Sequence, residues 1–73
     1  MNKEELQQEY YRQQQMLKAL GDEQKTDQKI VDGHPFGPEA DSVRKRMADR
    51  ESEIGRREKE FLSLGSALRA ELG

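Results

Sequence analysis

An apolar residue occurs at every seventh position through much of the second half of this chain: Met47, Ile54, Phe61 and Leu68. Val43 and Leu64 lie three or four positions from members of this heptad stripe, on the same side of a helix. A repeat with a mean spacing of about 3.5 residues is the signature of a helix that packs along its length against another helix. The heptad stripe therefore predicts an all-α architecture built from long paired helices.

A stop signal and a start signal for helices lie close together in residues 32–37 and at the proline that follows. Gly33 suits the left-handed position just past a helix end, and Pro35 prevents that helix from continuing. Gly37 suits the N-cap of a second helix, with Pro38 at its first position. A connection this short predicts antiparallel neighbours.

The sequence thus predicts a single domain, an antiparallel two-helix hairpin with coiled-coil-like packing. The domain covers residues 1–73, with helix 1 at about 2–31, the turn at 32–37 and helix 2 at about 38–72. Gly21 weakens the prediction for helix 1, because a glycine in a helix interior costs about 1 kcal/mol relative to alanine. The alternative is a first helix that ends at Leu20. At a rise of about 1.5 Å per residue, the long hairpin has arms of roughly 45–50 Å.

The register follows from a seam on helix 1 that contains Leu6, Tyr10, Leu17, Leu20 and Val31, with Gln13, Gln24 and Asp27 at the remaining positions. One register pairs apolar residues along the whole seam: Leu6 with Leu68, Tyr10 with Leu64, Leu20 with Ile54, and Val31 with Val43. In this register we expect Leu17 to lie on the methylene stem of Arg57. A shorter helix 1 allows a shifted register with Leu17 on Met47, which leaves residues 61–72 without cover.

Polar seam residues also oppose one another in the preferred register. Gln24 lies opposite Arg50, and Asp27 comes near both Arg46 and Arg50. The two seam arginines, Arg50 and Arg57, have two interpretations. They either extend their charged ends into water, or fix the register by meeting Gln24 and Asp27.

Two helices alone make a thin core, so the hairpin is expected to be completed by dimerisation into a four-helix bundle or by a partner protein. One side of the seam is rich in apolar and small residues, and we call it the apolar flank. On helix 1 this flank contains Gln7, Tyr11, Gln14, Gly21 and Gln28, and on helix 2 Ala48, Glu51, Gly55, Glu58, Leu62, Gly65 and Leu72. Its candidate protein-binding residues are Tyr11, Gly55, Leu62, Gly65 and Leu72. The opposite flank is expected to be solvated and contains Glu9, Glu23, Arg46, Glu53 and Glu60.

Phe36 is a further candidate for protein binding, because it lies in the turn at the tip of the hairpin. We expect it to pack on Ile30, Val31 or Ala40. The alternative is an aromatic side chain offered at the tip as a contact for another protein.

The middle of helix 2 is basic, and a nucleic-acid interface is an alternative interpretation of it. The residues that would carry this interface are Arg44, Lys45, Arg46, Arg56 and Lys59. They spread over several helix faces, however, and no aromatic residue lies among them for base stacking. Ion pairs between residues four apart, such as Glu53 with Arg57, account for most of the charge. Nucleic acid is therefore the less favoured partner.

The residues for catalysis or metal binding are missing from the sequence. The chain has one histidine, His34, and no cysteine, which excludes disulfides and thiolate metal sites. The serines have no histidine at a useful spacing, and the carboxylates alternate with basic residues on helical surfaces. We therefore expect no enzyme activity, no cofactor, no metal and no small-molecule substrate.

Composition bounds the remaining classes of function. Hydrophobic residues make up 32% of the chain, charged residues 38%, and the net charge is −2. No stretch approaches the roughly 20 apolar residues of a membrane span, and the first residues have no apolar segment typical of a secretion signal. We expect a cytoplasmic, non-catalytic protein-binding module or regulator that docks an apolar flank on a larger protein. The alternatives are a homodimeric four-helix bundle that binds RNA or DNA, and a structural or scaffolding component.

Overall fold

The computed structural model describes residues 2–72 and contains two α-helices, α1 (Lys3–Gly33) and α2 (Pro38–Leu72), with no strand in that range. The helices lie side by side in a rod with principal extents of 52 × 15 × 15 Å. The prediction of an all-α chain with two long helices is therefore confirmed. The terminal residues of the predicted domain, Met1 and Gly73, lie outside the described residues.

Helix α1 begins at a reciprocal cap. The side-chain oxygen of Asn2 accepts a hydrogen bond from the Glu5 backbone N–H at 2.9 Å, and its Nδ2 donates to the Glu5 carboxylate at 3.3 Å. The first of these bonds satisfies one of the backbone N–H groups that the first turn leaves free, and the second joins the two side chains. The helix then runs without a break through Gly21 to Gly33. The alternative in which helix 1 ends at Leu20 is therefore wrong.

The turn reverses the chain at Gly37. Its φ is +107°, a left-handed value that L side chains rarely adopt. The prediction placed this conformation at Gly33 and is wrong there, because α1 extends through Gly33 and the His34 N–H still donates to the Ile30 carbonyl at 3.0 Å. Gly37 is also the N-cap of α2, since its carbonyl accepts the Asp41 N–H at 3.1 Å. The predicted N-cap is therefore correct.

Contacts between the helices define the register. Arg50 Nη1 donates to Gln24 Oε1 at 2.7 Å, which is the predicted pairing of these two seam residues. Nearer the open end, the rings of Tyr10 and Phe61 stack with centroids 4.4 Å apart. The predicted register pairs Tyr10 with Leu64, which lies about one helical turn from Phe61. Heptad arithmetic thus gives the correct height along the seam but not the direction of each ring.

The core is thin. The apolar residues that are buried are Leu6, Val31, Ala40 and Val43. The four residues of the heptad stripe are only half-buried, and no large side chain in the described residues is fully buried. The most regular apolar pattern in the sequence therefore remains partly open to solvent.

Candidate protein-binding surface

Three large apolar side chains of the apolar flank are exposed to solvent. The exposed fractions are 63% for Tyr11, 65% for Leu62 and 58% for Leu72. Tyr11 comes from α1, whereas Leu62 and Leu72 come from α2, so both helices contribute to this surface. Apolar area concentrated on one side of a small protein is typical of an interaction site.

The two glycines predicted for this surface have different surroundings. A Cβ added at Gly65 would lie 3.4 Å from the Tyr10 ring, whereas one added at Gly55 would meet nothing within 4 Å. Gly65 also lines a shallow groove with Tyr10, Leu68, Arg69 and Leu72. Gly65 therefore lets the ring of Tyr10 pack close to α2, and Gly55 leaves an open, flat stretch of helix.

Phe36 extends from the tip and is 89% exposed. The expectation that it packs on Ile30, Val31 or Ala40 is therefore wrong. The reason is that Val31 and Ala40 are already buried, at 8% and 2% exposed, by the packing of the two helices. The turn itself is held in place because the Arg44 guanidinium donates to the Pro35 carbonyl and to the Asp41 carboxylate.

A partly buried group of polar residues joins the two helices in the half of the hairpin nearer the tip. We call this group the polar clamp, and it consists of Gln24, Asp27, Arg46 and Arg50. Asp27 is buried, whereas the side chain of Arg46 is 55% exposed. Both carboxylate oxygens of Asp27 accept hydrogen bonds from Arg46, at 2.7 and 3.0 Å, and Arg50 donates to the same carboxylate at 2.6 Å. Gln24 completes the clamp by donating to the Met47 carbonyl at 3.0 Å. The hydrogen bonds from Arg46, and secondarily from Arg50, lower the pKa of Asp27 from 3.8 to about 2.

Arg50 therefore meets Gln24 and Asp27, as expected if it fixes the register of the two helices. Its side chain is 12% exposed, and it also pairs with Glu23 at 3.1 Å, a residue that was expected to be solvated. Arg57 behaves differently. Its guanidinium pairs with Glu53 at 2.9 Å and lies 3.6 Å from the Met16 sulfur, rather than meeting Gln24 or Asp27.

The seam contains a second buried polar residue, Gln13, which the sequence did not single out as special. Gln13 is 7% exposed, and its Nε2 donates to Glu9 at 3.0 Å, but its Oε1 has no hydrogen-bond partner. Arg12 also donates to Glu9, at 2.7 Å, and the hydrogen bonds from Arg12 and Gln13 lower the pKa of Glu9. The seam position of Gln13 was the only sign in the sequence that this side chain would be buried.

Internal ion pairs occupy part of the basic middle of α2. Arg44 pairs with Asp41, and Arg46 pairs with Asp27. The other residues of the nucleic-acid alternative are exposed and form no ion pair within residues 2–72: Lys45, Arg56 and Lys59. The charge that remains for phosphate contacts is therefore smaller than the sequence indicates.

The described part of the chain shows no arrangement for metal binding, since it contains no group of three or more His, Asp or Glu side chains that could hold an ion. His34 is exposed in the turn. Within residues 2–72, neither helix combines the length and the apolar character that crossing a bilayer requires.

Comparison with known proteins assigns the chain to no family. No protein-family model matches it, and neither a curated protein nor a solved structure resembles it at a significant level.

Proposed function

We propose that this chain is a small non-catalytic protein-binding module, a cytoplasmic regulator or adaptor. It acts by docking apolar surface on a larger protein, which it thereby blocks, recruits or stabilises. One observation carries this proposal: three of the five exposed large apolar side chains, Tyr11, Leu62 and Leu72, lie on the apolar flank. The fourth is Phe36, which gives a second contact at the tip.

The half-buried heptad stripe supports completion of the hairpin by association, either with itself or with a partner. Met47 and Ile54, for example, remain partly exposed although they lie on the seam. Covering such residues removes apolar area from water, at about 25 cal/mol per Å². Association of a partner along the hairpin is therefore favourable, because it buries apolar area that the isolated chain leaves in water.

The internal pairing of basic residues favours a protein over a nucleic acid as the ligand. The charges of Arg44 and Arg46 are already offset by Asp41 and Asp27. Phosphate contacts by these arginines would have to compete with the internal pairs. Tyrosine, such as Tyr11, is instead among the side chains that dominate binding at protein interfaces, and Leu62 adds apolar area beside it.

The experiment that tests the proposal is capture of partners on immobilised hairpin, quantified by mass spectrometry. The test variant is Tyr11→Ser with Leu62→Ser, which removes two anchors of the apolar flank. The matched control is Ile30→Ser, because Ile30 is an exposed apolar residue, at 37%, outside the apolar flank. We expect the double variant to lose the captured protein and the control to retain it.

Both variants are first compared with wild type by circular dichroism, to establish that the helices remain. Equal capture by the double variant and wild type would contradict the proposal. Equal loss in the double variant and in Ile30→Ser would also contradict it, since binding would then not depend on the apolar flank.

A further inference from the structure

Charged residues of opposite sign line the apolar flank, two lysines beside it on α1 and two of its own glutamates on α2. Lys18 and Lys25 follow Tyr11 at intervals of seven residues and so share its face of α1. Glu51 and Glu58 precede Gly65 at the same interval and share its face of α2. All four charged side chains are exposed, and none forms an ion pair within residues 2–72.

The register fixes the heights of these charges along the rod. The hydrogen bond between Gln24 and Arg50 places Lys25, the neighbour of Gln24, level with the turn of α2 that contains Glu51. Lys18 lies about two turns further from the tip, level with the turn that contains Glu58. The positive charges on α1 and the negative charges on α2 are therefore matched in height.

We infer that the apolar flank is covered by a second copy of this chain, related to the first by a two-fold axis parallel to the rod, so that both tips lie at the same end. The inference rests on the proposed function, because it takes the flank to be a protein-binding surface and names the protein that covers it. In this arrangement α1 of each copy lies antiparallel to α2 of the other. Lys18 then meets Glu58 of the second copy, Lys25 meets its Glu51, and Tyr11 meets its Leu62.

The same charges disfavour the other two-fold arrangement, in which the tips lie at opposite ends. There α1 faces α1, and α2 faces α2. Lys18 then lies close to Lys18 of the second copy, and Glu51 lies close to its Glu58. Like charges across an interface suppress a wrong pairing, so the charge pattern selects the arrangement with both tips together.

The surface area of the isolated hairpin fits one such interface. The accessible surface is 5580 Å², whereas a compact folded chain of this mass exposes about 4,700 Å². The excess of about 900 Å² is close to the roughly 800 Å² per partner that a standard interface buries. The elongated hairpin therefore exposes enough area for one interface of standard size.

The dimer has a consequence for binding of the larger protein. Two Phe36 side chains, each 89% exposed in the hairpin, lie side by side at one end of the four-helix bundle. Two linked contacts bind a partner more tightly than one, because the second contact forms intramolecularly. In the dimer the larger partner is then engaged at this double tip, and the Tyr11→Ser, Leu62→Ser variant loses capture because it loses the dimer that pairs the two tips.

Charge reversal tests the inference, with the mass in solution as the readout. For the wild type we expect twice the 8.5 kDa of one chain by light scattering. Glu51→Lys with Glu58→Lys opposes lysines to lysines and is expected to raise the dimer dissociation constant at least about 100-fold. The control, Asp49→Lys with Glu60→Lys, makes the same change of charge at exposed positions outside the apolar flank and is expected to remain dimeric.

A compensating charge reversal on α1 distinguishes lost charge pairing from a folding defect in the reversed variant. Adding Lys18→Glu and Lys25→Glu to the reversed pair restores opposite charges across the interface, and this fourfold variant is expected to dimerise again. A wild-type chain that stays monomeric, or a fourfold variant that does not recover, overturns the inference. A monomeric wild type that still captures a larger protein through Tyr11 and Leu62 leaves the proposed function standing.

Spin labels test the direction of packing, and the absence of cysteine from the sequence makes specific labelling simple. With His34→Cys labelled at the tip, we expect a distance of about 20–30 Å between copies, a few helix spacings. A distance near the 52 Å length of the rod would show the tips at opposite ends and overturn the inference.

Discussion

The guanidinium of Arg50 lies 2.6 Å from the carboxylate of Asp27, across the seam between the two helices. Their side chains are 12% and 7% exposed. Asp27 also pairs with Arg46, and Arg50 also pairs with Glu23, so both buried charges are compensated only by residues of the facing helix. A shift of α1 along α2 would leave both charges buried and unpaired, which is far more costly than losing an apolar contact. This pair therefore holds the helices in one register.

The polar clamp makes the stability of the hairpin sensitive to acid. The hydrogen bonds from Arg46 and Arg50 lower the pKa of Asp27 from 3.8 to about 2. A carboxyl group whose pKa is lower in the folded state stabilises that state above the unfolded pKa, and this contribution is lost as pH falls through the folded pKa. We therefore expect the free energy of unfolding to decrease between pH 3.8 and about 2. Urea unfolding at several pH values and a fixed protein concentration measures this decrease.

Two variants isolate the contribution of Asp27 to this decrease in the free energy of unfolding. Asp27→Asn is expected to be less stable than wild type at neutral pH and to lose less stability on acidification. Asp49→Asn removes an exposed carboxylate and is expected to keep the wild-type dependence on pH. If Asp27→Asn showed the same decrease as wild type, the clamp would not be the source of the acid sensitivity.

Two buried or half-buried glutamines of the seam are expected to respond in opposite directions to the same substitution. Gln13→Leu removes a buried Oε1 that has no partner, so stability is expected to stay level or rise by about 1 kcal/mol. Gln24→Leu removes hydrogen bonds to Arg50 and to the Met47 carbonyl and is expected to cost about 1–2 kcal/mol. Parallel urea titrations compare them, and a larger loss for Gln13→Leu would refute the prediction.

The turn requires a glycine at position 37, where the backbone φ is positive, but not at position 33, which lies within α1. Gly37→Ala forces a side chain into a φ of +107° and is expected to cost about 1–2 kcal/mol. Gly33→Ala lies within α1, where an added Cβ meets nothing within 4 Å, and it is expected to be neutral or stabilising by up to about 1 kcal/mol. Thermal unfolding of the two variants measures the difference, and equal melting temperatures would contradict it.

Phe36 is expected to matter for binding and not for stability. Because the side chain is 89% exposed, Phe36→Ser should change the free energy of unfolding by no more than about 0.5 kcal/mol. The same variant should reduce the amount of captured partner, whereas His34→Ser, at a neighbouring exposed position, should leave it unchanged. A large loss of stability in Phe36→Ser would show that the ring packs on the hairpin.

The sequence predicted those features that depend on spacing. The heptad stripe and the helix signals predicted two long helices, and the match of Gln24 with Arg50 predicted the register. Continuation through Gly21 was favoured but not determined by the sequence, because the shorter helix leaves residues 61–72 without cover while a glycine in a helix interior is unfavourable. Spacing determines how far along a helix a residue lies, and these features need nothing more.

The features that could not be predicted depend on the direction in which each side chain extends. They also depend on which apolar residues the two helices already bury against each other. Phe36 stays exposed, and of the three residues expected to cover it Val31 and Ala40 are buried by other contacts while Ile30 is itself exposed. Tyr10 stacks on Phe61, and Arg57 reaches Met16, because long side chains extend over about one turn of helix. The exposure of Tyr11, Leu62 and Leu72 on the apolar flank is likewise a property of the assembled surface and not of spacing along one helix.

The position of the polar clamp near the tip also predicts the order in which contacts between the helices form during folding. Asp27 and Arg46 are separated by only 19 residues, whereas the stacked pair of Tyr10 and Phe61 closes a much longer loop. Because the entropy lost on closing a loop grows with its length, we expect the ion pairs near the turn to form before the contacts near the open end, and the helices to zip from the turn toward the termini. Backbone amides near the clamp should exchange with deuterium most slowly, and those beyond Tyr10 should exchange first.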